Sequence, residues 1–64
     1  MSVFWFSVCA PKRRKVLKYV QANGFSVIEA YNDVKRENPG FAVFAVTESD
    51  VFAETFPVIE RLSD

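Results

Sequence analysis

The chain has 64 residues, with eight Lys or Arg balanced by eight Asp or Glu and no His. One small domain spanning residues 1–64 is all this length makes, and a domain of this size buries only about 60% of the surface its unfolded chain exposes. Cys9 is the single cysteine, so no internal disulfide forms and the usual ligands of a structural zinc site are missing; a dense aromatic core, an oligomer, or both must replace those staples.

Residues 2–10, SVFWFSVCA, are β-branched and aromatic with apolar residues on both alternating faces, which suits a central strand. Pro11 then stands where a first helical residue would, Val16, Leu17 and Val20 recur at helical spacing, and Asn23-Gly24 supplies a left-handed stop, so a helix of about three turns is expected. Residues 25–31, FSVIEAY, read as a second strand, followed by the polar stretch 32–38 and a reversal at Pro39-Gly40. Residues 41–47, FAVFAVT, read as a third strand. Thr47 with Asp50 three residues on resembles a capping box opening a second helix, which carries Val51, Phe52, Phe56, Ile59 and Leu62 inward. Pro57 removes an amide donor, so that helix should kink or break near Phe56.

This order predicts an α+β fold, a small open-faced βαββα sandwich: ferredoxin-like but lacking the last strand, with a three-stranded sheet and two helices on one face. Alternation then sorts the side chains. With Phe4, Phe6 and Val8 turned to the helices, and Phe44 and Val46 likewise, the opposite sheet face would present Trp5, Phe25, Tyr31, Phe41 and Val43. Soluble monomers seldom leave such a patch bare. These five residues are therefore the candidate protein interface.

Zero net charge conceals a split. Residues 1–32 hold Lys12, Arg13, Arg14, Lys15 and Lys18 against Glu29, five cations to one anion, while residues 33–64 hold three cations to seven anions. At a helix start the five cations would be locally unfavourable by about several tenths of a kcal/mol each, which points to a compensating anion such as a nucleic-acid phosphate, or else to a solvated face.

Gly40-Phe41-Ala42-Val43-Phe44 resembles the third-strand signature of RNA-recognition motifs, whose sheet aromatics stack bases. That resemblance implies stacking by Phe41 and by Trp5, although Val43 stands at the middle aromatic position and Pro39 at the leading basic one. The overall plan is also similar to that of ACT-type ligand sensors, which commonly pair through their sheets, although Cys9-Ala10-Pro11 stands where their Asp and Pro-Gly turn lies. Lys12 to Gly24 looks like the first helix of small CRISPR-associated nucleases, but their metal-binding aspartate has no counterpart at Val8 to Ala10.

Catalytic chemistry has few candidates. No His is present to serve as a base, Cys9 has no imidazole partner, and two glycines, Gly24 and Gly40, cannot make a phosphate-binding loop. No catalytic residue, cofactor or metal is expected. The run Val3 to Ala10 is too short to span a bilayer, no membrane partner is expected, and the lone thiol suits the cytoplasm. The leading expectation is a non-enzymatic regulatory module, such as an accessory or inhibitor protein of a mobile element, that forms a homodimer or docks on a partner protein. Nucleic-acid binding and small-ligand sensing are the alternatives.

Overall fold

The computed structural model describes residues 1–12 and 15–62. Its elements run β1 (Ser2–Cys9), β2 (Val16–Gly24), α1 (Val27–Glu37), β3 (Ala42–Val46), α2 (Glu48–Phe52) and β4 (Ile59–Leu62). The fold is α+β, with one four-stranded sheet in the order β3-β1-β2-β4. Strand β1 pairs antiparallel with both β2 and β3, and β2 pairs parallel with β4.

This order corrects the expected βαββα sandwich in three places. First, the described residues of 11–24 do not form a helix: Pro11 and Lys12 lie in a turn, the Ala10 amide donates to the Lys15 carbonyl at 3.1 Å, and Val16–Gly24 is β2. The helical spacing of Val16, Leu17 and Val20 is equally a strand alternation, because Val20 and Ala22 face one side of the sheet while Tyr19 faces the other. A bulge beside Cys9 lets Leu17 fall between the registers Val8↔Lys18 and Cys9↔Val16.

Second, residues 27–37 form a helix where a strand was expected. Ser26 is its N-cap, its hydroxyl accepting from the Glu29 amide at 3.2 Å, and Lys35 and Arg36 fill its last turn. Asn38 closes it, with Nδ2 donating to the Val34 carbonyl at 2.9 Å. Third, Ile59 and Leu62 belong to a fourth strand rather than to the second helix, so the sheet is not one strand short. The capping box at Thr47 and Asp50 does form, and α2 ends at Phe52.

Both sheet faces are covered. On one, Phe6, Val8, Val20, Ala22 and Val43 pack with Ala30 and Val34 of α1, and Tyr31 lies against Phe6 with ring centroids 6.2 Å apart. Gly24 makes this approach possible: a Cβ there would stand 3.3 Å from the Ala30 Cβ and 3.2 Å from the Ser26 carbonyl. On the other face Trp5 and Tyr19 pack with Val51 of α2, flanked by Val46 and Ile59, and Trp5 meets Phe52 edge-on at 5.6 Å. The helices therefore lie on opposite faces, not on one.

Phe6 has no exposed surface and stands between Val20 on β2 and Ala45 on β3. Truncating it to Ala should cost about 3–5 kcal/mol, comparable to all that a core of this size supplies. Phe6→Ala is accordingly expected to lose the cooperative urea transition followed by circular dichroism, whereas Ile28→Ala, exposed on α1, should keep the parent midpoint. A parent-like transition in Phe6→Ala would contradict this account of the core.

Candidate functional site

The five residues expected on one open sheet face do not come together. Trp5 is buried under α2, whereas Val43 is buried on the α1 side, in register with Val8. Tyr31 is a half-buried residue of α1, and Phe25 and Phe41 lie in connections outside the strands, exposed to 76% and 39%. Phe44 is the exposed aromatic of β3, on the Trp5 side. The alternation of β3 runs opposite to the expected one because Val43, not Phe44, pairs with Val8.

What the sheet leaves open is an edge. Strand β3 ends the sheet order, with the sequence Ala-Val-Phe-Ala-Val, free of charge and of proline. Ala45 and Phe44 are both exposed on it. Natural edge strands are usually protected by a charge, a proline, a bulge or a covering segment, and β3 carries neither of the first two.

Beyond Val46 the chain turns away into α2, while β1 continues to Ser2. A notch of about 540 Å³ opens there, lined by Val3, Trp5, Gln21, Val27 and Thr47 among others. It is a wide surface depression with no grouped titratable side chains.

Lys12 and Lys15 lie in the connection between β1 and β2 instead of at a helix start, and both are exposed. Lys18 lies on β2 and is paired with Glu60 of β4 at 2.8 Å. Arg13 and Arg14 lie outside the described residues. Arg61 Nε donates to Gln21 Oε1 at 3.0 Å, so one polar link between β2 and β4 lies on each face: Lys18 with Glu60 on the Val20 side and Arg61 with Gln21 on the Tyr19 side.

Cys9 is buried, and its thiol is 3.9 Å from the Ser7 hydroxyl. Among the described residues no three His, Cys, Asp or Glu side chains group as metal ligands, and no helix is long and apolar enough to cross a membrane.

Two titratable groups are shifted, each by a structural contact. Burial pushes the Tyr19 phenol above its ordinary value of 10.0, and the carboxylate of Glu54, which accepts from Tyr19 Oη at 3.4 Å, adds to the shift. Asp50 moves the other way: its carboxylate accepts from the Thr47 amide at 2.9 Å, which holds it below 3.8. No family model, curated protein or solved structure matches the chain.

These shifts fix a pH window. A phenol whose folded value is raised contributes stability that is fully present below the unfolded value and lost as pH rises through the folded one. As pH rises through 10 and beyond, the parent should therefore lose stability that Tyr19→Phe retains. Urea midpoints across this range provide the check, and parallel losses in both proteins would exclude Tyr19 as the source.

Proposed function

We propose that this chain is a non-enzymatic interaction module and that its first partner is a second copy of itself, paired antiparallel through the outer edges of β3. The observation that carries this reading is the uncharged, proline-free edge strand with Phe44 and Ala45 exposed on it. A two-fold pairing of that edge opposes no like charges, satisfies the outward backbone groups and joins two four-stranded sheets into one continuous sheet. Because the two-fold axis stands perpendicular to the sheet, both copies of α1 fall on one face and both copies of α2 on the other. Phe44 of each copy then gains a neighbour on the α2 side.

Base stacking has less support. Trp5 is buried, Val43 lies on the opposite face, and Phe41 is the remaining exposed member of that set.

Light scattering on a size-exclusion column is the direct measurement. The parent should elute at twice the monomer mass in the micromolar range. Ala45→Lys and Phe44→Lys, each placing a charge on the edge without touching the buried core, should elute as folded monomers. A parent that stays monomeric, or a dimer indifferent to both substitutions, overturns the proposal.

A further inference from the structure

On the side of the sheet away from β3, the start of β2 and the connection between α2 and β4 enclose a shallow cleft of about 180 Å³. The Tyr19 amide donates to the Val58 carbonyl at 2.7 Å and fixes one segment against the other. Around this cleft apolar side chains are left in water: Val16 is exposed to 38%, Leu17 to 46%, Val58 to 63% and Phe56 to 93%.

Phe56 is the least expected of these. Its φ is 56°, in the left-handed region, and it precedes Pro57. Residues other than Gly, Asn and Asp seldom adopt that conformation, and a strained residue persists where its surroundings or its use demand it. Here the strained backbone holds up a phenylalanine ring that packs on almost nothing in its own chain.

Cations stand close by. Lys15 directly precedes Val16, and Lys12 lies in the same connection between β1 and β2, both exposed. Glu60 is paired with Lys18, and Glu54 lines the cleft with its carboxylate turned to Tyr19 Oη.

We propose that this corner binds the surface of an anionic lipid bilayer, with Phe56, Leu17 and Val58 entering the headgroup boundary and Lys12 and Lys15 meeting the lipid phosphates. Neither part suffices alone: a single apolar anchor gives marginal, reversible binding, and a polybasic segment supplies the second signal. A bilayer fits better than a nucleic acid because three of the four exposed apolar side chains are aliphatic and offer bases nothing to stack on. The sequence gives no sign of this contact, since Phe56, Leu17 and Val58 become one surface only when β2 and β4 pair. The contact does not depend on pairing through β3, which lies at the opposite edge of the sheet.

The test is co-sedimentation of the full chain with vesicles of phosphatidylcholine alone and of phosphatidylcholine mixed with phosphatidylglycerol. Binding is expected to the mixed vesicles and to fall with added salt. Phe56→Asn, which suits the left-handed backbone and should not lower Tm, is expected to weaken partition roughly tenfold or more. Phe56→Leu should retain most of it. Lys12→Ala with Lys15→Ala should weaken it roughly 25-fold, about fivefold for each cation. Equal binding to neutral vesicles, no binding to either, or a Phe56→Asn protein that folds and binds like the parent overturns the proposal. So does an oligonucleotide that binds more tightly than the vesicles and displaces the protein from them independently of Phe56.

Discussion

Strand β1 is apolar on both faces and paired on both edges, and the remaining elements are disposed to satisfy it. Phe4, Phe6 and Val8 need cover on one side, and Trp5 with Cys9 needs it on the other. The chain has one helix of eleven residues and one of five to supply that cover. The longer takes the Phe6 face, where Ala30 and Val34 approach closely because Gly24 has no side chain. The shorter reaches the Trp5 face with Val51 and Phe52 and leaves the rim uncovered. Unequal cover is thus the reason that Phe44, Phe52, Phe56 and Val58 are exposed while Trp5 to Cys9 of β1 are buried.

The same arrangement sorts the charges. Helix α1 runs back toward the turn between β1 and β2, because Lys35 Nζ reaches the Phe41 carbonyl and Ala42 then pairs with Cys9. Its terminal Lys35 and Arg36 therefore join Lys12 and Lys15 at one end of the molecule. Glu29 lies in the first turn of α1, and Glu48 and Asp50 lie in the first turn of α2. Anions at helix starts and cations at the one longer helix's end suit the backbone dipole. Five cations opening a helix would have opposed it. With Lys12 and Lys15 in the connection between β1 and β2 and Lys18 on β2, none of these three opens a helix, and the conflict does not arise.

How far the fold was legible depended on whether a segment fits one period or two. SVFWFSVC fits only a strand buried on both faces, and FAVFAV only a strand, so both were readable. So was the capping box, which is a local arrangement of four residues. VLKYVQA fits helix and strand alike; pairing with β1 decides between them, and no local signal reports that pairing. FSVIEAY was misread for a different reason. Ser26 with Glu29 three residues on is an N-terminal signature, and Ala30 with Val34 continues at helical spacing, so that signal was present and was outweighed by the β-branched Val27 and Ile28. Ile59 and Leu62 span four residues, too few for any period to show. The expected interface patch inherited these errors, since moving Phe25 and Tyr31 out of a strand and reversing the alternation of β3 disperses it.

Apolar side chains in so small a domain either enter the core or remain available to something else. The core takes Phe6, Val8, Val20 and Val34 completely. Among the residues it does not take, which also include Val3, Phe25, Ile28 and Phe52, two sets lie at borders of the sheet: Phe44 on the β3 edge, and Leu17, Val58 and Phe56 around the cleft beside β4. These borders differ in what they offer. The β3 edge presents backbone hydrogen-bonding groups with uncharged side chains, which suits the strand pairing proposed for it. The cleft presents protruding apolar tips with its backbone already engaged between Tyr19 and Val58, which suits the proposed contact by partition and charge instead. Two such surfaces on opposite edges can be occupied at once, and pairing through one would set two copies of the other at the far ends of a continuous sheet.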